Sequence, residues 1–527
     1  MRLHAPKKAL FLLICLAGLL NCSHKEDKAQ NEAKLYLLIV VDQLRGDELY
    51  KHQDLWQHGL KRLTQEGRWY DNAKHGHART ETAAGHATIA TGLHPKWHGI
   101  INKKMFLPKE NKAISICDWG TSPCTPDALL EPTIGDRLKV HSPQSKVLSL
   151  AQKDRAAMLM GGRRADVVAW MSHDTPALEG RTAGTPGVPA WLQSAYKTMI
   201  TSEKMPKTWN LGKIPTAYKQ IADDRPDEVD IGMGITFPHK LPSIEKDAAP
   251  PWAWFYTPHS DEVLLELGLR AAQKLNLGKD HIPDLMMISF SVVDTVGHAF
   301  GPGSLERIST LMALDKTLGI LIETLEKQSG GQLVVALSAD HGVAPLPAIA
   351  RQNGLDSGRI EPSELHKVME TALEKDFGQG PHVQAIVEPY VFLYPKAGRD
   401  MAKAIVQAAK ALSTHPHIFK AWPTYLLENM QQDELTKLML ENSHPLRSGH
   451  IIFAPQPYYS MSHRHRKSAG SNHGTPWDYD RHVPIILWGQ GIQTKRLNTP
   501  VQVIDLSRTL ADRLGLAVDV RGGKPLP

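Results

Sequence analysis

Long runs of one charge and internal repeats are absent from this 527-residue sequence. The 61 lysines and arginines oppose 55 acidic residues, and the net charge of +6 is spread along the chain. A basic surface for nucleic acid therefore has no support in the composition, whereas small anionic substrates remain compatible with it. The hydrophobic content of 42% is enough for one large domain with insertions or for two domains.

A long apolar run is also missing, and this bears on the N-terminus. Residues 9–20 are apolar and follow basic residues, but the run is too short for a comfortable membrane span and fits a signal peptide. The letters "LLNC" resemble a bacterial lipobox, in which Cys22 would become the lipidated first residue. An uncleaved anchor is the alternative. Both interpretations place the protein outside the cytoplasm, as a periplasmic or outer-membrane-anchored lipoprotein.

Cysteine is scarce, with four residues in all. A zinc knuckle needs two closely spaced pairs, and the sequence has none. Cys15 lies in the predicted signal peptide 1–21, and Cys22 begins a charged linker at 22–33. This leaves Cys117 and Cys124 as the two cysteines that can pair in an oxidising compartment, so we expect a local disulfide between them.

Apolar segments of strand length alternate with amphipathic segments of helix length. This alternation predicts an α/β fold with a mainly parallel sheet covered on both faces. Helices are predicted at 261–278 and 304–328. Three proline-rich stretches, 104–135, 205–258 and 345–460, break the alternation and are interpreted as insertions or a cap within one domain, 34–522. The predicted strands are 35–41, 146–151, 284–290, 332–339 and 483–489.

Polar side chains follow four of the five predicted strands. They are Asp42, Lys153 with Arg155, Asp294 with His298, and Asp340 with His341. Because ligands of parallel sheets bind outside the carboxyl ends of the strands, we expect these residues to meet at one edge.

Carboxylates and imidazoles together suit zinc or a similar ion, and this set is too large for one tetrahedral site. Two ions about 4 Å apart are the usual arrangement for displacement at phosphorus. Thr82, in "HARTETAAGHATIATG", lies where the chain turns into a predicted helix. A threonine there is often only a helix cap, but it can also attack an anion that the helix N-terminus attracts.

These motifs carry a family resemblance. Asp42, "TAAGHATIATG", "DTVGH", "ADHG" and "NHGTPWDYDRHVP" occur in the order found in the alkaline phosphatase superfamily. The resemblance extends from about residue 35 to 489. Within the superfamily, the chain resembles phosphate-irrepressible alkaline phosphatases with a threonine nucleophile, which share the type I phosphodiesterase/nucleotide pyrophosphatase-like fold.

The resemblance implies a fold and a site with two Zn²⁺ ions. The fold would be a mixed, mainly parallel sheet between helices, with inserted cap regions. Asp42, Asp340 and His341 would hold one zinc beside Thr82. Asp294, His298 and His473 would hold the other. The residues alone do not distinguish His473 from its neighbours His463, His465 and His482.

The resemblance also bears on the substrate. Lys153 and Arg155 match a Lys-x-Arg pair of the phosphomonoesterases, and Asn102 matches an asparagine shortly after "HGI". Their task would be to contact the extra charged oxygens of a terminal phosphate. A sulfatase would need Cys or Ser at position 82. The predicted reaction is zinc-dependent phosphomonoester hydrolysis through phosphothreonine, which releases inorganic phosphate.

Two other functions remain open. One is a nucleotide or phospholipid-headgroup phosphodiesterase on the same scaffold. The other is an inactive, lipid-anchored protein that binds metal or phosphate. The remaining histidines near Thr82 are expected to support its turn or fill the core, and they are His75, His77, His86, His94 and His98.

Overall fold

A computed structural model describes residues 33–119, 124–201, 203–243, 252–396, 398–461 and 470–527. The predicted signal peptide and the lipidation site Cys22 lie outside these residues, as do His463 and His465. Within the described ranges, no helix has the length and apolar character needed to cross a membrane. The predicted export and anchoring therefore stay predictions.

The described strands form one large sheet and several small ones. They are β1 Leu35–Val41, β2 Arg68–Lys74, β3 Lys104–Leu107, β4 Lys112–Ser115, β5 Val147–Ala151, β6 Val167–Met171, β7 Leu178–Thr182, β8 Thr185–Pro186, β9 Thr208–Trp209, β10 His239–Lys240, β11 Asp284–Phe290, β12 Leu333–Ser338, β13 Gly358–Ile360, β14 Val383–Val387, β15 Tyr390–Leu393, β16 Ile418–Pro423, β17 Ile451–Pro455, β18 Tyr459–Met461, β19 His482–Gly489, β20 Lys495–Leu497 and β21 Val501–Gln502.

The described helices mostly flank the large sheet. They are α1 Glu48–Lys51, α2 Gly59–Glu66, α3 Thr82–Thr91, α4 Pro95–His98, α5 Ile134–His141, α6 Asp154–Gly161, α7 Ala190–Met199, α8 Pro258–Lys274, α9 Val292–Phe300, α10 Leu305–Gln328, α11 Pro347–Gln352, α12 Pro362–Phe377, α13 Met401–Leu412, α14 Glu434–Asn442, α15 Asp478–Arg481 and α16 Ile504–Arg513.

The large sheet has the order β20-β2-β19-β12-β1-β11-β5-β6-β7-β8, with β21 beside β2. Its centre is parallel, since β1 pairs in parallel with both β11 and β12, and β5 pairs in parallel with β11 and β6. The predicted α/β fold is confirmed. The predicted strand at 483–489 is present, but it runs antiparallel to β12, so its carboxyl end lies at the opposite edge.

Helices cover both faces of this sheet. Gly268 of α8 packs on Met286 and Ile288, whereas Gly135 of α5 packs on Met287. Because successive side chains of a strand point to opposite faces, α5 and α8 lie on different sides. All seven residues of β1 and of β11 are buried, which explains their unbroken apolar runs.

The three stretches that break the alternation differ from one another. In 104–135, β3 and β4 form a hairpin, and the expected Cys117–Cys124 disulfide is present. In 205–258, the described residues form little regular structure beyond the short β9–β10 pair. The 345–460 stretch, interpreted as an insertion or cap, contains an antiparallel sheet, β14-β15-β17-β16, packed on α12 and α13 over its own apolar cluster.

Candidate active site

The carboxyl edge of the central strands gathers most of the predicted site. Asp42 directly follows β1, and Lys153 follows β5. Asp294 lies in the first turn of α9, which follows β11, and the Asp340–His341 pair follows β12. The order β12-β1-β11-β5 makes these strands neighbours, so residues nearly 300 positions apart meet as predicted.

One group of potential metal ligands consists of Asp42, Asp340 and His341, all fully buried. Each offers one ligand atom, and these atoms lie within 4.8 Å of one another. His341 Nε2 is 3.4 Å from Asp42 Oδ1 and 3.4 Å from Asp340 Oδ2. This is the set predicted to hold the first ion.

A second group consists of Asp294, His341 and His473, whose ligand atoms also lie within 4.8 Å of one another. His298 Nε2 lies 3.3 Å from Asp294 Oδ1 and so borders the same group. The prediction placed His341 with the first set alone. The structure places it between the two sets, with its ring stacked 3.6 Å from that of His473.

The three histidines share a hydrogen-bonding arrangement that favours metal binding. In each, Nδ1 lies 2.9 Å from a backbone carbonyl oxygen: that of Gly342 for His341, of Ser471 for His298 and of Thr80 for His473. Since a carbonyl only accepts, Nδ1 must carry the proton. In the neutral form of each ring, the lone pair is then on Nε2, the nitrogen that faces the carboxylates.

The charges of the site also fit divalent cations. Three buried carboxylates, those of Asp42, Asp294 and Asp340, interact with the ammonium group of Lys153. Burial, followed by repulsion from Asp294 and Asp340, raises the pKa of Asp42 to about 7. Asp42 Oδ1 and His341 Nε2 are buried without a hydrogen-bond partner in the described part of the chain. Carboxylate and imidazole atoms in such surroundings are suited to Zn²⁺.

Thr82 is the first residue of α3, and its side chain is almost fully buried. The helix runs for ten residues, so its N-terminal N–H groups and its dipole favour an anion at this end. Gly85 lets α3 approach the turn that carries Asp340, because a Cβ there would lie 2.2 Å from the backbone oxygen of Asp340.

Lys153 and Arg155 flank the start of α6 at the same edge. Lys153 Nζ forms ion pairs with Asp42 Oδ2 and Asp294 Oδ2, so it bridges the two ligand groups. Burial lowers the pKa of Lys153, but these two carboxylates outweigh burial and raise it overall. Arg155 Nε is buried without a hydrogen-bond partner among the described residues, which leaves a donor for an anion.

Asn102 is buried, and the residue after it contacts the turn that precedes Thr82. Its Nδ2 donates to the backbone oxygen of Glu388 at 2.6 Å, and the next residue, Lys103, donates its backbone N–H to Glu81, which precedes Thr82. In the described ranges, no hydrogen bond joins Asn102 to Lys153 or Arg155, and its predicted substrate contact stays a prediction.

The loop between β14 and β15 reaches the site, which the sequence did not reveal. The Glu388 carboxylate lies 3.3 Å from Arg79, which also contacts Glu81 at 3.4 Å and donates to the Gly474 carbonyl. Arg79 thus connects the inserted sheet to the residues before Thr82 and after His473. An ion pair between residues some 300 positions apart produces no periodic pattern in the sequence, so the sequence could not predict it.

Gln43 is a second residue that sequence reasoning missed. Its backbone N–H donates to Asp340 Oδ1 at 3.1 Å, and its side-chain amide donates to Asp294 Oδ1 at 2.7 Å. It therefore touches one carboxylate of each ligand group. Its φ of +70° is unusual for a residue other than glycine, and such strain is typical of functional sites.

The histidines expected to support the nucleophile turn are all buried, and His86 does so directly. His86 Nδ1 lies 2.8 Å from the Thr82 carbonyl oxygen and 3.1 Å from Asp340 Oδ2. Both neighbours are acceptors, so Nδ1 is protonated, and Nε2 accepts from the Ser289 hydroxyl at 2.8 Å. His86 thereby links the first residue of α3 to a predicted metal ligand.

The site combines a mainly parallel sheet, two groups of carboxylates and imidazoles at its carboxyl edge, and a threonine at a helix start. This is the arrangement of a phosphoric ester hydrolase of the alkaline phosphatase superfamily. The family described as type I phosphodiesterase / nucleotide pyrophosphatase matches residues 36–478, and the chain belongs to it.

Similar proteins include several alkaline phosphatases. PhoK of a Sphingomonas species is 28% identical over 521 residues, which cover 93% of this chain and 90% of PhoK. PafA of Elizabethkingia meningoseptica is 25% identical over 551 residues, which cover 99% of this chain and 98% of PafA. The crystal structure of wild-type PafA matches with a TM-score of 0.85 at 24% identity, covering 94% of this chain and 98% of PafA. Murine ectonucleotide pyrophosphatase / phosphodiesterase 5 has the same fold, with a TM-score of 0.54 at 16% identity and coverage of 93% and 97%.

Proposed function

We propose that this protein is a zinc-dependent phosphomonoesterase that works through a phosphothreonine at Thr82. The observation that carries the proposal is the meeting of two buried ligand groups with the Lys153–Arg155 pair at one sheet edge. The alkaline phosphatases PhoK and PafA, similar over nearly their whole length, support hydrolysis of monoesters. A solved variant of PafA carries substitutions of one threonine, one asparagine, one lysine and one arginine, the residue types predicted here.

The residues present would hold two zinc ions. Asp42, Asp340 and His341 would hold one beside Thr82, and Asp294, His298 and His473 the other. When bound, the zinc ions would supply Lewis acidity, which makes a hydroxyl or water nucleophilic near neutral pH.

The first chemical step forms a bond between Thr82 Oγ1 and phosphorus. The bond from phosphorus to the ester oxygen breaks, the Thr82 hydroxyl proton passes to solvent water, and the departing alkoxide takes a proton from solvent water to leave as the alcohol. The N-terminal N–H groups of α3 and the donors of Lys153 and Arg155 hold the nonbridging oxygens while this occurs. Because fixed cations already oppose the negative charge of the phosphoryl group, no side chain is required as a general acid.

The second step returns the enzyme to its starting state. Water attacks the phosphorus on the side opposite Thr82 Oγ1, and the bond between Thr82 Oγ1 and phosphorus breaks. The attacking water releases a proton, and Thr82 Oγ1 takes up a proton to become a hydroxyl again. The products are inorganic phosphate and the free enzyme. Two in-line displacements give overall retention at phosphorus.

A phosphodiesterase is the second candidate, since the family description names that activity. The Lys153–Arg155 pair argues against it, because a diester has one charge less and two nonbridging oxygens. The proposal includes export and lipidation at Cys22, and these are supported by the N-terminal sequence alone.

Metal removal tests the proposed cofactor. We expect a chelator to abolish hydrolysis of p-nitrophenyl phosphate and zinc to restore it, with about two zinc ions bound per chain. Elemental analysis of the reactivated protein supplies the count. An Asp294→Asn variant should bind less zinc than wild type, whereas a variant at an exposed carboxylate, Glu266→Gln, should bind the wild-type amount. Full activity in metal-free protein would refute zinc dependence.

A further inference from the structure

Lys103 is a cation at the candidate site that the proposed chemistry does not use. Its backbone N–H donates to the carboxylate of Glu81, the residue before Thr82. Its backbone oxygen accepts from the N–H of Ile116 at 3.0 Å, at the end of the β3–β4 hairpin. These two hydrogen bonds hold the backbone of Lys103 beside the residue that precedes the proposed nucleophile.

The charges that act on the Lys103 ammonium group belong to the candidate site. Burial lowers the pKa of Lys103, Glu81 opposes this effect, and Arg155 lowers the pKa further. Smaller contributions come from Arg79, which lowers the pKa, and from Asp294, which raises it. The ammonium group therefore lies among the residues before α3, the start of α6 and the start of α9.

Lys103 is nevertheless exposed to solvent. A cation that is open to solvent, and yet surrounded by enough protein to lose part of its hydration, lies in an open cleft that a dissolved ligand can enter. In the described part of the chain, its ammonium group forms no ion pair and no hydrogen bond. By contrast, Arg79 and Lys153 each pair with two carboxylates. Lys103 thus has N–H donors left for an anion.

Asn102, which is predicted to contact the substrate phosphate, has a different partner. Its side-chain amide donates to the backbone oxygen of Glu388 at 2.6 Å, in the inserted unit. The next residue, Lys103, is the one whose side chain interacts with Arg155, and Arg155 Nε also lacks a hydrogen-bond partner among the described residues. Two cations with unused donors at one site suit a doubly charged phosphoryl group.

We propose that Lys103, rather than Asn102, donates to a nonbridging oxygen of the transferred phosphoryl group. Lys103 would act together with Arg155 and would add one positive charge to the selection of dianionic phosphomonoesters over diesters. The inference rests on the proposed function, because the oxygen that Lys103 contacts belongs to the phosphoryl group that Thr82 attacks.

Neutral replacement of Lys103 tests this role. We expect Lys103→Met, which keeps an unbranched side chain, to lower kcat/KM for p-nitrophenyl phosphate about tenfold more than for bis-p-nitrophenyl phosphate, since a hydrogen bond between charged groups is lost. Lys103→Arg keeps the charge and should retain most of the preference. A matched control is Lys104→Met at the exposed first residue of β3, which should leave the ratio unchanged.

Asn102→Ala distinguishes the two adjacent residues. This variant removes the contact with the inserted unit and should affect the monoester and the diester alike. A lower monoester-to-diester ratio in Asn102→Ala, with no change of the ratio in Lys103→Met, would overturn the assignment. Equal losses for both substrates in Lys103→Met would mean that Lys103 only supports Glu81, and this result would overturn the assignment as well.

Phosphate binding separates this inference from the proposed function. Calorimetry with inorganic phosphate and the zinc-loaded Thr82→Ala variant requires no turnover. The added Lys103→Met change should raise Kd about tenfold, and the added Lys104→Met change should leave Kd unchanged. If no monoester is turned over, the proposed function fails, while the change in Kd still decides the role of Lys103.

Two results of the calorimetry would contradict the inference. An unchanged Kd after Lys103→Met, in a protein whose wild type hydrolyses monoesters, would overturn the role of Lys103 alone. Absence of phosphate binding before Lys103 is replaced would overturn the phosphate contact altogether.

Discussion

Replacement of Thr82 by alanine is expected to lower kcat/KM for p-nitrophenyl phosphate by roughly three orders of magnitude or more, because no other group replaces the attacking hydroxyl. Alanine is a favourable helix residue, and Thr82 is the first residue of α3, so the fold should be kept. Zinc content should also remain near the wild-type value, since the aspartate and histidine ligands are unchanged.

Thr82→Ser is the matched control. It keeps the hydroxyl at the helix start and should retain far more activity than the alanine variant. Mass spectrometry of acid-quenched wild-type reactions should detect phosphate on Thr82, and the alanine variant should show none. A Thr82→Ala enzyme with the wild-type rate would contradict the proposed nucleophile.

The second large effect concerns substrate charge. The double variant Lys153→Ala, Arg155→Ala is expected to lose monoester hydrolysis about 100-fold more than diester hydrolysis, because both lost groups are predicted to contact the oxygens of a terminal phosphate. The measurement is kcat/KM for p-nitrophenyl phosphate and for its bis-ester.

Lys153 requires a control of its own. It pairs with Asp42 and Asp294, so its removal can alter metal binding as well as substrate contact. Arg155 forms no hydrogen bond or ion pair with a predicted metal ligand among the described residues, so the single variant Arg155→Ala separates the two effects. Zinc content should be measured for every variant. Arg270→Ala removes an exposed cation that pairs with Glu266 and should leave the ratio unchanged. Equal loss for monoester and diester in Arg155→Ala would argue against a role in selectivity.

The sequence predicts the central sheet because its strands are apolar throughout. The predicted strands 35–41 and 284–290 have the same bounds as the observed β1 and β11. The predicted site residues follow the strands within a few positions. Parallel pairing then brings Asp42, Asp294 and Asp340 together without further information. The direction of β19 is not encoded in this way, since a buried antiparallel strand has the same apolar pattern as a parallel one.

The parts of the site that depend on tertiary contacts could not be predicted. The shared position of His341 between two ligand groups is set by ring geometry rather than by spacing. The left-handed backbone of Gln43 occurs together with its two carboxylate contacts, and glutamine has no preference for that conformation. Glu388 comes from a separate small sheet whose packing is invisible in the local pattern.

The most direct test of the proposed activity is kcat/KM of the zinc-loaded wild-type protein for p-nitrophenyl phosphate and for bis-p-nitrophenyl phosphate. We predict that the monoester is preferred by about 100-fold or more, because Lys153 and Arg155 oppose its additional charge. Preference for the diester would contradict the phosphomonoesterase and leave a phosphodiesterase on the same fold and ligand groups.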